Sequence, residues 1–430
     1  MGPLVPLSQP LDSPPKLGAG PTRNTAWASG KDDFGSPEHN PVRTTAAVSM
    51  GLAVLIWLVS WPAGFSGAAT RAEWTHPKAQ QLVTDRDGPF VLLDDGRLMT
   101  VEGNEAHFSR DEGRTWSSKG PVLQERDPRI HREWRVLRKT RKGAIVLVFL
   151  DTKTRKWGWN NETHEPDPGV FNEVWSVRSL DDGESWIDAQ LLSREYCGAM
   201  VDILETSSGR VVVPVMKVLR NPGRHAFVFY FSDDAGRTWA RSNLIDLGGH
   251  GHHDGAIEPT LVQLRDGRLW TLIRTNWDRF WEAFSQDEGR SWRVIRPSGI
   301  DASSAPGHLI RLSSGRLVLA WNRLHPEGLT LQEWNRRPGA RREFPYSRIP
   351  GSSQREELSI AFSEDDGKTW TRPQVVARQP GGWLSYPCLF ERRTGEIWLT
   401  THYAGIRTGG RREIIASVRL RLMESDFAGE

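Results

Sequence analysis

Cysteine is nearly missing from this 430-residue sequence, which has only Cys197 and Cys388. Two thiols make neither a disulfide framework nor a cluster with zinc-site spacing, so both read as buried side chains. An excess of one charge is missing too. The formal net charge is +3 and Lys and Arg are spread along the whole chain, which leaves no basic stripe for a nucleic acid to follow. Helical periodicity is absent between the apolar segments. Long hydrophobic runs are absent with one exception, Ala46 to Trp61, and that run falls short of the ~20 residues needed to span a bilayer. Arg43 precedes it and the small residues of FSGAA follow it, which is the layout of a secretory leader. Residues 46–68 therefore read as the signal peptide of a secreted or periplasmic chain, with a short membrane anchor as the alternative. Residues 1–45 are rich in Pro, Gly and Ser and read as a disordered leader or a mis-called start.

What the sequence has instead is tryptophan and repetition. Of the 20 Trp, five close a phrase that recurs as FSRDEGRTWS, RSLDDGESWI, FSDDAGRTWA, FSQDEGRSWR and FSEDDGKTWT. The pattern Ser-x-Asp-x-Gly-x-Thr/Ser-Trp starts at Ser109, Ser179, Ser232, Ser285 and Ser363, and these irregular spacings mark a repeated architecture with connections of variable length. In each box the Asp is suited to accept hydrogen bonds from the backbone of a tight turn, the Gly to take φ > 0, and the Trp to cover the turn with a large apolar face. None of these roles is catalytic.

A second repeat interleaves with the boxes: an apolar segment, a turn glycine and another apolar segment. The glycines are Gly96, Gly143, Gly209, Gly267, Gly315 and Gly395, and each unit reads as a β-hairpin. The first five units lead into a box. The sixth has none and ends in REIIASVRLRLM, which is expected to supply a final strand. Six four-stranded units predict an all-β, six-bladed propeller over residues 74–425, with a β-sandwich or solenoid as the alternative.

In a propeller the first strand of each blade lines the axis and starts on one face. Glu258 lies nine residues before Gly267 and Arg274 seven after it, so one hairpin brings both to the same end of blade four. Tyr386 lies nine before Gly395 and Arg86 ten before Gly96, while Arg355 precedes Ser363 by eight and is carried back to that end by strand three. Three Arg, one Glu and one Tyr thus converge on one rim. Three guanidiniums around a small channel repel unless an anion lies between them, and Arg is the natural bidentate holder of a carboxylate. A phenol beside a carboxylate in such a pocket is a candidate nucleophile, because the Glu can take its proton. The plainer readings stay open: Arg86 as a solvated rim charge, Glu258 as a counter-ion for Arg274, Tyr386 as core packing.

The boxes, the hairpins, the pair in EPTLVQLRDGRLWTLIRT, the Arg in REELSIAFSEDDGKTW and the Tyr in SYPCLF together resemble the exo-α-sialidase (neuraminidase) superfamily, over roughly residues 74–422. The resemblance implies a retaining hydrolase that removes terminal sialic acid from glycans, in which three Arg grip the sugar carboxylate and a Tyr assisted by Glu attacks the anomeric carbon. Tyr386 is then the nucleophile, Glu258 its base, Arg274 and Arg355 two members of the clamp, and Arg86 the third by spacing. No cofactor is implied. Blade one departs from the family pattern. Arg86 is followed by Asp87, Gly88 and Pro89 where the family has Arg-Ile-Pro, and LMTVEGNEAHFS has neither an Asp nor room for the loop that carries the family's general acid.

Blade two compensates with the insertion DTKTRKWGWNNETHEPDPGVFNEVW, in which Asp167 stands twelve residues before Ser179. That matches the spacing of the family acid before its own box, so Asp167 is the candidate acid, with His164, Glu165, Glu102, Glu105 and His252 as alternatives. In GGHGHHDGAI, His252, His253 and Asp254 read as substrate contacts, and a metal site is the alternative. The insertion from Asn322 to Gln354 in blade five is expected to form another wall. Two further functions stay open: a hydrolase of another acidic sugar, which the lost loop favours, and a glycan-binding propeller without turnover.

Overall fold

Runs of β-branched and aromatic residues set the strands. Val211–Leu219, with sequence VVVPVMKVL, pairs along its whole length with Arg224–Ser232, with sequence RHAFVFYFS, and consecutive side chains of both are buried because each face of the sheet packs on a neighbouring blade. The computed structural model describes residues 72–124, 128–342, 350–408, 411–414 and 417–429, so the leader and signal-peptide expectations lie outside it. Among the described residues no helix is long and apolar enough to cross a membrane.

Six antiparallel sheets follow one another as blades. Blade one is Val91–Leu92, Leu98–Glu102, Glu105–Ser109 and Ser117–Pro121. Blade two is Ile130–Lys139, Ile145–Lys156, Phe171–Ser179 and Ile187–Ser193. Blade three is Leu204–Glu205, Val211–Leu219, Arg224–Ser232 and Ala240–Arg241, and blade four is Ile257–Gln263, Leu269–Arg274, Arg279–Ser285 and Val294–Asp301. Blade five is His308–Arg311, Leu317–Trp321, Glu357–Ser363 and Gln374–Arg378, with Trp74–Thr75 added at its outer edge. Blade six is Gly382–Arg393, Glu396–Thr408 and Arg419–Met423, and its fourth place is taken by Gln80–Gln81. The segment expected to supply the final strand is therefore the third, and the N-terminal end of the folded region closes the ring.

All six turn glycines are left-handed, with φ between 75° and 92°. The five boxes repeat one hydrogen-bond pattern. The Ser hydroxyl donates to the Asp at 2.8–2.9 Å and accepts from the Gly N–H at 2.8 Å. The Asp accepts from the backbone N–H of the following Thr or Ser at 2.8–2.9 Å and from its hydroxyl. The glycine of four of the five boxes also touches the blade before it. A Cβ on Gly183 would lie 2.8 Å from Met99, on Gly236 and Gly289 3.2 Å from Val146 and Val212, and on Gly367 2.5 Å from Trp270, each on the second strand of the preceding blade. The boxes are thus rivets between blades, which is why the chain repeats them.

The core lies between the sheets. Val146, Val148, Phe227, Phe229, Leu269 and Ile273 form one cluster through blades two to four. Both cysteines are buried. A cavity of about 320 Å³ is bordered by residues in or just before the first strands, including Phe90, Arg135, Asp202, His308, Tyr386 and Cys388. The blade-five insertion carries a one-turn helix, Leu331–Asn335, whose Thr330 and Glu333 make a capping box. Arg341 ties it to blade four by a bidentate pair with Asp278 at 2.5 and 2.6 Å.

Candidate active site

The backbone aims two side chains at the axis. Glu258 has φ 43° and Tyr386 φ 58°, and each is followed by a proline, Pro259 or Pro387. At Glu258 the pairing passes from Ile257↔Arg274 to Thr260↔Leu272, so one extra residue bulges from the strand. A proline fits beside such a bulge because it has no N–H to leave unpaired. Left-handed backbone at a non-glycine residue costs of order 1–3 kcal/mol, and such strain gathers at functional sites.

Tyr386 donates its hydroxyl to Glu258 Oε1 at 2.7 Å, and Arg274 Nη1 donates to Glu258 Oε2 at 2.6 Å and to the Tyr386 hydroxyl at 3.3 Å. Arg274 Nη2 reaches the Ser304 hydroxyl at 3.0 Å. Arg355 donates to the Ser304 carbonyl at 2.6 Å and lies 5.9 Å from the Tyr386 ring centre. Glu258 and Arg274 are buried, whereas Tyr386 and Arg355 are partly open. Burial first, and the Glu258 carboxylate next, push the Tyr386 phenol above its usual pKa, while Arg274 and Arg355 pull it down. The resting phenol is therefore neutral, with a base at hydrogen-bond distance.

Four of the five expected residues thus meet. The fifth, Arg86, is engaged elsewhere: it forms an ion pair with Glu102 and lies 3.4 Å from Asp85. Glu102 also faces Arg135, 3.7 Å away, and Arg135 is buried with Nη2 donating to the Gly88 carbonyl at 2.8 Å. Arg135 borders the same cavity as Tyr386. Sequence reasoning passed over it because it sits in the basic run HREWRVLRK, although it lies eight residues before Gly143, almost the spacing that singled out Glu258 and Tyr386. Glu102 and Glu105 pair across a two-residue turn, so blade one has no acid loop, as its sequence suggested. Glu105 stands more than half exposed beside His107.

The blade-two insertion folds into a small hairpin, Trp159–Asn160 with Glu165–Pro166, against the blade-four approach loop. The Trp157 ring lies 4.1 Å from Tyr196 and 4.7 Å from His252, and Trp159 lies 5.3 Å from His252. Asp167 stands at the foot of this hairpin: its N–H donates to the Gly158 carbonyl at 3.0 Å and its carbonyl accepts from Arg220, while its carboxylate lies against Gly158 with no hydrogen bond or ion pair among the described residues. Glu165 instead accepts from the Gly223 N–H at 2.8 Å, and the His164 ring lies 5.4 Å from His250. His225, His252 and His253 pack ring against ring, tilted or edge-on, with centres 4.2–5.4 Å apart. Burial and the neighbouring Arg274 charge lower His225 to about 4, and burial holds the other two well below their usual value. This wall is neutral at neutral pH. Asp254 is buried and accepts from the N–H groups of His250 and Gly255, both at 2.9 Å, so its carboxylate holds its own loop.

The model of the BNR repeat-like domain matches residues 102–399, more than half of the chain and a span that contains all five boxes. The chain belongs to the BNR repeat-like family. Its fold is similar to the NanB sialidase of Streptococcus pneumoniae, with TM-score 0.51 and 15% identity over 83% of this chain and 70% of that one. It is similar to the intramolecular trans-sialidase of Ruminococcus gnavus, with TM-score 0.51 and 14% identity over 81% and 96%. A Dyadobacter fermentans protein of unknown function gives 0.53 and 16% over 81% and 100%. A comparison with curated proteins gives no match.

Within this BNR repeat-like propeller the site combines a neutral phenol, a carboxylate placed to take its proton, and guanidiniums beside both. Such a set suits attack by the phenol on an electrophilic carbon whose substrate carries a negative charge.

Proposed function

We propose that this chain is a glycoside hydrolase that removes terminal sialic acid, or a closely related carboxylated sugar, from glycans with retention. The observation that carries the reading is the 2.7 Å hydrogen bond from Tyr386 to Glu258 Oε1, with Arg274 donating to both. Arg274 and Arg355 receive the sugar carboxylate, and Arg86 and Arg135, gathered on Glu102, supply the further positive charge. Tyr386 Oη then attacks the anomeric carbon as its proton passes to Glu258. The leaving oxygen takes a proton from Asp167, and water later releases the sugar from Tyr386. His252 and the insertion tryptophans line the substrate side. The segment 46–68 directs export in this reading.

Release of the aryl group from an aryl sialoside tests it. Tyr386→Phe should lose nearly all turnover with its melting temperature unchanged, and near-parental activity in the folded variant would remove Tyr386 from the chemistry. The pairing of Arg86 with Glu102 and the tight blade-one turn favour a second reading, another acidic sugar as substrate. Turnover of aryl uronides with none of sialosides would select it. Binding of sialic acid without turnover of either would leave a lectin-like propeller.

A further inference from the structure

The two clamp arginines are joined through one small residue. Ser304 lies in the connection between blades four and five and is 2% exposed. Every polar group it has is engaged. Its N–H donates to the Ser352 carbonyl at 3.0 Å, its carbonyl accepts from Arg355 Nη2 at 2.6 Å, and its hydroxyl accepts from Arg274 Nη2 at 3.0 Å while donating to Asn276 Oδ1 at 2.5 Å. A hydroxyl has one proton, so its donation to Asn276 leaves only lone pairs to face Arg274. We infer that Ser304 is a positioning residue: its carbonyl and hydroxyl oxygens fix Arg355 and Arg274 relative to one another so that both guanidiniums meet one ligand carboxylate.

The chemistry of Arg274 requires such a hold. Its Nη1 is engaged by Glu258 and Tyr386, and its Nε is buried with no hydrogen-bond partner among the described residues. Ser304 therefore holds the edge of the guanidinium that Glu258 does not. Arg274 and Arg355 also repel each other, and two oxygens on one rigid residue relieve that repulsion without the disorder of water. The anchor itself is fixed from the blade-five insertion. The Ser352 hydroxyl accepts from the Trp334 indole at 3.2 Å and donates to the Leu324 carbonyl at 2.7 Å. That insertion thus carries the support of the clamp.

The identity of the carboxylate rests on the sialidase reading above, and the test separates the two. In Ser304→Ala the KM for an aryl sialoside and the dissociation constant for free sialic acid should both rise about tenfold or more, as when a charged, buried hydrogen bond is lost. Binding of the methyl ester should change little, and Ser304→Thr should restore the acid. Ser304→Cys keeps the volume and removes the strong acceptor, so it should follow Ala and guards against a Thr variant that fails to fold. Nitrogen-15 NMR of the arginine side chains reads the tie without activity: slow guanidinium rotation of Arg274 in the parent should become fast in Ser304→Ala. Parental KM, equal loss for acid and ester, or unchanged rotation would each overturn the inference. If the parent cleaves and binds no sialoside, the substrate reading fails while the rotation measurement still decides the role of Ser304.

Discussion

Arg355 reaches the site from the third strand of blade five with its positive charge beside the Tyr386 ring and one nitrogen on the Ser304 carbonyl. Arg355→Ala should weaken sialic acid binding, read by calorimetry, by about 2–5 kcal/mol, the range for one partner of a desolvated charge pair. The methyl ester should lose much less, and an equal loss would make Arg355 a support of the fold. At this scale the sequence was informative where hairpin arithmetic applies. Glu258, Arg274 and Tyr386 sit at fixed distances from turn glycines, and a strand's rise converts such distances into position. It was uninformative where position depends on a partner. Nothing in DASSAPGH distinguishes Ser304 from Ser303, nor does HREWRVLRK distinguish Arg135 from its basic neighbours, until the blades are set side by side. Arg86 was placed at the right end of blade one, but no spacing rule foretold that Glu102 would take its guanidinium.

The boxes and the insertions act as elements. Hydrogen bonds from the Thr115 and Thr369 hydroxyls, then from their backbone N–H groups, hold Asp111 and Asp365 down to about 2, and in Asp181, Asp234 and Asp287 such bonds lower the pKa against the opposing effect of burial. A carboxyl whose folded pKa lies below its unfolded value of ~3.9 stabilises the fold above that pH, and the contribution is lost as pH falls toward about 2. The melting temperature should therefore drop between pH 4 and pH 2, and less steeply once Asp111→Asn and Asp365→Asn are combined. Parallel slopes would place the acid sensitivity outside these boxes. The blade-two insertion gives a test of its own. Asp167→Ala should cripple cleavage of a sialyl-galactoside, whose leaving oxygen needs a proton, and spare an aryl sialoside, whose leaving group does not. Equal rates on both substrates, at parental level, would remove Asp167 as the acid. The boxes were fully legible because their chemistry is local. The helix at Leu331–Asn335 was not noticed, although its capping box is written as TLQE, because five residues show no helical period.

At the scale of the molecule the ring is held by rivets between consecutive blades and by its two ends. Trp74–Thr75 edges blade five and Gln80–Gln81 completes blade six against Arg419–Met423. Deletion of residues 72–81 should lower the melting temperature by roughly 3–6 °C, since a few kcal/mol moves a domain of this size by that much. An unchanged melt would mean that the ring closes without them. Six blades could be counted in the sequence, yet the filling of the sixth could not, because strands two residues long have no pattern of their own and their partners are distant. The same arrangement sets a clock. Gln80 and Arg421 lie 341 residues apart, so at ~5–20 residues per second the first strand of the pair waits roughly 17–70 s for the second to be made. Glu258 likewise precedes Tyr386 by 128 residues. An unfinished chain therefore holds Glu258 without Tyr386, and whatever the paired side chains do begins only after the ribosome has delivered the last blade.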